Sequence, residues 1–173
     1  MSEREPTQTT NLDIYGNPPL VWSRVLKALS GSPTDDLTHF VGTVRPDGRP
    51  HVAGVGGLYL DGDLYFVAGP KTRRARNLAA DPACTIAVRV TGMDLTFEGE
   101  AARVTDREIL ERAVTKFREG GWPAEVHGDA VTAPFSAPSA GPPPWHLYRF
   151  TFRTVFGVAG AEPHGATRWR FGD

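Results

Sequence analysis

The chain has little cysteine, no long apolar run and almost no net charge. Its one cysteine, Cys84, excludes an intrachain disulfide and a cysteine-rich zinc site. Cys84 lies in a strand-like run, where a small buried hydrophobe is the expected role. No segment is apolar over the ~20 residues that a membrane-spanning helix needs, and the polar start from Met1 to Asn11 lacks a signal-peptide core. The expectation is a soluble cytoplasmic protein. Lys and Arg number 19 against 20 Asp and Glu, a formal net charge of -1. That balance gives no whole-chain case for nucleic acid or a membrane surface, so any electrostatic function must be local. There is no internal repeat, no G-x-S-x-G elbow and no H-E-x-x-H pair. The five histidines (His39, His51, His127, His146, His164) have no metal-ligand spacing, so no metal site is expected.

What is present is concentrated between Thr38 and Pro82. Three strand-like runs, about 37–44, 49–60 and 63–67, are joined by the turns Pro46-Asp47-Gly48 and Asp61-Gly62. Asp-Gly between β-rich runs is a strong hairpin signal, because glycine tolerates positive φ. Gly54, Gly56 and Gly57 interrupt the second run, as at a bulge, a bend or the close approach of a ligand. A short helix is predicted over 72–80, stopped by Asp81-Pro82. Strands follow at about 84–90, where Cys84, Ile86, Val88 and Val90 share one face, and at 94–104.

Elsewhere, the spacing of Val21, Trp22, Val25, Leu26 and Leu29 predicts a helix over 20–30, begun after Pro18-Pro19 and ended at Gly31. Thr105 and Glu108 read as a capping box for a helix that buries Ile109, Leu110, Ala113, Val114 and Phe117. Residues 122–144, rich in Pro, Ala, Ser and Gly, read as a surface loop, with a lid or a partner-facing arm as the alternative, and shortening it within 133–144 should leave unfolding nearly unchanged. A last strand is predicted at 145–156. Residues 1–17 read as a flexible N-terminal segment and 18–173 as one domain. The sum is a mostly β chain with peripheral helices and about six antiparallel-rich strands, which suggests a barrel.

The helix after the third strand opens with Lys71, Thr72, Arg73 and Arg74. A helix N-terminus already carries about half a positive charge, so cations there are unfavourable unless an anion joins them. The free N–H groups of that first turn suit a phosphate; the alternative is a solvated basic patch. On the phosphate reading, Arg74→Ala should weaken ligand binding and leave the ligand-free protein unchanged or slightly stabler.

The segments Thr43-Val44-Arg45-Pro46-Asp47-Gly48-Arg49-Pro50-His51, Leu64-Tyr65-Phe66, Arg73-Arg74-Ala75-Arg76-Asn77-Leu78 and Asp81-Pro82, in that order, resemble the flavin-binding split-barrel superfamily. That superfamily includes pyridoxamine 5′-phosphate oxidase and the flavin/deazaflavin-dependent oxidoreductases. The resemblance implies a six-stranded antiparallel split β-barrel and a homodimer with cofactor sites at the interface. It places His51, Val52, Ala53 and Gly54, on to Val55, along the ring system. It places Ala68, Gly69, Lys71, Thr72, Arg73, Arg74 and Asn77 around the ribityl chain and phosphate. The tail 167–171 resembles the closing segment of the deazaflavin branch, with Trp169 and Arg170 near the ring; packing anchorage is the other role open to Trp169. The extended C-terminal substrate motif of pyridoxamine phosphate oxidase is absent.

The implied cofactor is FMN or the deazaflavin coenzyme F420. Lys71, Arg73, Arg74 and Arg76 supply more charge than one phosphate needs, which favours the longer anion of F420. The implied function is hydride transfer between that cofactor and a small organic acceptor. The alternative is a non-catalytic protein that binds or senses flavin or haem on the same scaffold. Tyr59 and Tyr65 are potential proton donors, although strand aromatics of this kind are more often core.

Overall fold

The computed structural model describes residues 3–31 and 37–172. Ten strands and three helices occur in the order β1 (Gln8–Asn11), α1 (Trp22–Leu29), β2 (Thr38–Val44), β3 (Pro50–Leu60), β4 (Asp63–Ala68), α2 (Arg73–Ala80), β5 (Ala83–Val90), β6 (Met93–Val104), α3 (Arg107–Glu119), β7 (Glu125–His127), β8 (Ala130–Thr132), β9 (His146–Ala159) and β10 (Gly165–Arg170). Six strands pair antiparallel in the order β9-β4-β3-β2-β5-β6, and β6 pairs back onto β9. The sheet is thereby closed into the expected six-stranded barrel.

The local signals act as their chemistry dictates. Asp61 at φ 54° and Gly62 at φ 88° turn β3 into β4, the positive-φ pair that a two-residue hairpin needs. Alternation along β5 sends Cys84, Ile86, Val88 and Val90 into the core. The interior is filled by Val41, Leu64, Phe66, Ile86, Leu95, Phe97, Phe150 and Phe152, and α1 closes it with Trp22, Val25 and Leu26. A second core under α3 joins Leu110, Ala113, Val114 and Phe117 to Tyr65 and Leu147.

Three expectations are corrected. Within the segment 1–17, Gln8–Asn11 form β1 and pair with β10, and Arg4 reaches the buried Asp63 at 3.3 Å. The tail adds a further strand, β10, bonded on both edges. The α3 cap is Asp106, which accepts from the Ile109 N–H at 3.0 Å, in place of Thr105. The stretch 122–144 is no plain surface loop. It contains the β7–β8 hairpin, and Ala133, Ala140 and Trp145 form a small buried cluster against Trp122. A Pro- and Ala-rich sequence shows no periodicity, so only the neighbouring tryptophans reveal this packing.

Candidate functional site

The site is built on a change of partner within β3. Residues 50–56 pair with β2, and Gly57–Leu60 pair with β4. A cavity of about 590 Å³ surrounds the changeover, within the range of about 300–1,000 Å³ typical of small-molecule sites. Strand alternation divides its walls. Gly56, Leu58 and Val67 belong to the outer face of the sheet, where Arg74, Trp122 and Ser139 complete one lobe. Val55, Gly57 and Tyr59 belong to the inner face, where Leu37 and His39 complete the other. A side chain at Gly56 would meet nothing within 4 Å, whereas one at Gly57 would lie 2.7 Å from the His39 ring.

Arg74 is the most unusual group of the outer lobe. Thr72 caps α2, accepting from the Ala75 N–H at 3.3 Å and donating to the Gly69 carbonyl at 2.7 Å. This sets Arg74 on the inward side of the helix, only 4% exposed. One of its terminal nitrogens donates to the Ser139 carbonyl at 3.1 Å, and its Nε has no partner. Among the described residues it forms no ion pair. Burial pushes its pKa down, and the Tyr148 hydroxyl acts in the opposite sense. A guanidinium nonetheless stays charged at neutral pH, and a buried unpaired cation is costly until an anion meets it.

The other expected residues divide into three sets. His51 stands opposite Thr43 on β2, and the Thr43 hydroxyl accepts from Asn77 Nδ2 at 2.9 Å. Asn77 is buried and its Oδ1 has no partner. Partial burial, then the charges of Arg45, Arg73 and Arg74, hold the His51 pKa below the usual imidazole value. His51, Asn77 and the start of α2 are therefore neighbours, with Ala53 and Gly54 next along β3. Lys71 and Arg73 stand exposed at the helix start, and Val52 projects outward. Ala68 is buried at the end of β4, and Gly69 is a glycine for the protein's own sake: a Cβ there would collide with the Ala140 carbonyl.

Trp169 and Arg170 stand apart from the cavity, and Trp169 takes the packing role that was its other option. Trp169 is fully buried 5.4 Å from Trp22 and packs over Gly157, so it is a core anchor and does not line the cavity. Arg170 is exposed on the outer face of β10, between Gln8 and Thr154. Of the residues expected to contact the cofactor, Arg74 and Val55 line the cavity, and so does Tyr59, a candidate proton donor. Sequence reasoning missed His39 and Ser139 as parts of the cavity wall. The run of glycines at 54, 56 and 57 was the signal that marked the place. Among the described residues no group of His, Cys, Asp or Glu could hold a metal, and no helix is long and apolar enough to cross a membrane.

The family model for pyridoxamine 5′-phosphate oxidase matches residues 33–159, which include all six barrel strands. The chain belongs to the pyridoxamine 5′-phosphate oxidase family. No curated protein sequence is a significant match. Solved structures share the fold of this family at low identity. A pyridoxamine 5′-phosphate oxidase-related, FMN-binding protein from Nostoc punctiforme superposes with a TM-score of 0.60 at 16% identity, over 88% of this chain and 91% of its own. A conserved hypothetical protein from Mycobacterium tuberculosis gives 0.59 at 17% identity, over 84% and 88%. An F420 reductase gives 0.51 at 20% identity, over 75% and 94%. The chain has the closed barrel that these structures share, with α2 following its third barrel strand.

Proposed function

We propose that this protein is an oxidoreductase that holds FMN or F420 against the outer lobe and the start of α2. The observation that carries the reading is Arg74, a buried guanidinium with an unpartnered Nε on the wall of a cavity of sufficient size. The residues fit such a group. Arg74 offers a charge-assisted contact to an anion, Gly56 leaves backbone open to a flat ring, and Asn77 presents a further unpartnered acceptor. The exposed Lys71, Arg73 and Arg76 continue the basic path beyond Arg74, which favours the longer anion of F420. A bound flavin or deazaflavin supplies hydride transfer itself. The chain's own part is to bind the anion through Arg74, orient the ring on β3 and exclude water with Trp122 and the segment 137–140.

We also propose a homodimer. Phe40 (48% exposed), Val44 and Val52 (62% exposed) form an apolar patch on the outer face of β2 and β3, beside His51. Such a patch marks an interaction surface, and a twofold copy is the commonest solution.

Titration of the purified protein with FMN and with F420, followed by absorbance, tests the function. One of them should bind, be reduced, and pass its electrons to an organic acceptor. Failure of both to bind overturns the proposal. Tight binding without turnover of any acceptor would establish the non-catalytic binder in its place.

A further inference from the structure

The inner lobe contains two buried polar atoms that have no partner among the described residues. His39 is 5% exposed, and its Nδ1 has no partner among the described residues. The hydroxyl of Tyr59 is likewise buried and unpartnered. Both line the same cavity and both belong to the inner face of the sheet, with Val55 and Gly57 between them. Gly57 is what permits the arrangement, since any Cβ there would press into the His39 ring. An unsatisfied buried polar group is costly and calls for a partner. Two of them on one wall describe a recognition site.

The chemistry of the wall selects the ligand. Burial lowers the His39 pKa, outweighing its contact with the Leu37 backbone, and so keeps the ring neutral. Burial raises Tyr59 to about 12, with Glu3 and Asp63 adding to the effect, so it is an O–H donor throughout the physiological range. Neither group offers countercharge, and Glu3 on the same wall repels anions. Leu29, Leu37 and Val55 supply apolar contact around them. We infer that the inner lobe binds an uncharged, flat organic molecule through a carbonyl oxygen, which accepts from the Tyr59 hydroxyl beside His39 Nδ1. This rests on reading the cavity as the site of reaction, and it names the acceptor class: a neutral carbonyl compound, distinct from the anion held at Arg74.

Acetophenone, benzoate and benzylammonium are probes of one shape and three charges. Ligand-observed NMR on the purified protein, with and without FMN or F420, should show acetophenone binding at least about tenfold more tightly than either ion. Acetophenone should also shift the His39 ring resonances. Tyr59→Phe should weaken acetophenone about tenfold and leave the melting temperature unchanged, because the hydroxyl has no partner among the described residues to lose. Equal binding of acetophenone by wild type and Tyr59→Phe overturns the inference, as does preference for either ion. Failure of FMN and F420 to bind would instead remove the proposed oxidoreductase function, while Tyr59-dependent binding of the ketone would still stand.

Discussion

Replacing Arg74 by alanine removes a buried charge and the partner of the Ser139 carbonyl together. From sequence the substitution should be neutral or stabilising without ligand, because it deletes a cation at the positive end of α2. The side chain, however, is turned inward. Losing a charged hydrogen bond costs roughly 1.5–3 kcal/mol, and relief of the unpaired charge offsets only part of that. We expect ligand-free Arg74→Ala to lose about 1 kcal/mol in urea unfolding, and its cofactor dissociation constant to rise by about one to two decades. Arg73→Ala, on the exposed side of the same turn, should stay within about 0.5 kcal/mol of wild type in stability. Destabilisation by Arg73→Ala alone would reverse the assignment of the two arginines. His39 gives a residue-scale prediction in pH. Its folded pKa lies below the ordinary value near 6.5, so the unfolded chain takes up the proton first as pH falls. Its contribution is complete above about pH 6.5 and is lost below it, with a slope of at most about 1.4 kcal/mol per pH unit. His51 and His146 act in the same direction. The pH dependence of unfolding should therefore be shallower in His39→Gln than in wild type, and identical slopes would show that His39 titrates normally.

At the scale of elements, the segment between β8 and β9 behaves as a built part of the domain. The Trp145 indole N–H donates to the Gly141 carbonyl at 3.0 Å, the Ala137 and Gly141 backbones form a bridge, and the Ser139 carbonyl meets Arg74. Trp145 is fully buried, 5.5 Å from Trp122. Trp145→Ala should cost about 3–5 kcal/mol, the range for large aromatic truncations in a core, and should loosen the wall of the outer lobe. Calorimetry on that variant checks it; an unchanged melting temperature would restore the surface-loop reading. The same segment explains why β4 is followed by a glycine, Gly69, since the Ala140 backbone lies where a side chain would be.

At the scale of the whole molecule, the barrel leaves Phe40, Val44 and Val52 on one exposed face. If a second copy covers them, Val52→Glu places a charge in an apolar interface. Sedimentation should show a dimer for wild type at micromolar concentration and a monomer for Val52→Glu, with the barrel still folded by circular dichroism. A wild-type monomer would leave the patch to another partner and the cofactor site to one chain.

The sequence by itself determined the six barrel strands, the turns between them and the place of α2. Those depend on neighbours: positive φ at Gly62, alternation from Cys84 to Val90, and the stop at Asp81-Pro82. It marked the region of the site through Gly54, Gly56 and Gly57 and the basic helix start. Only the tertiary structure decided which arginine is buried, where Trp169 packs and which polar groups share a cavity. Arg74 meets Ser139 across 65 residues, Trp169 rests on Trp22 at the other end of the chain, and His39 and Tyr59 share a wall because β3 changes partner between them. Periodicity and capping report interactions within a turn or a strand. Burial of a charge or a ring is set by contacts that exist only once the barrel has closed.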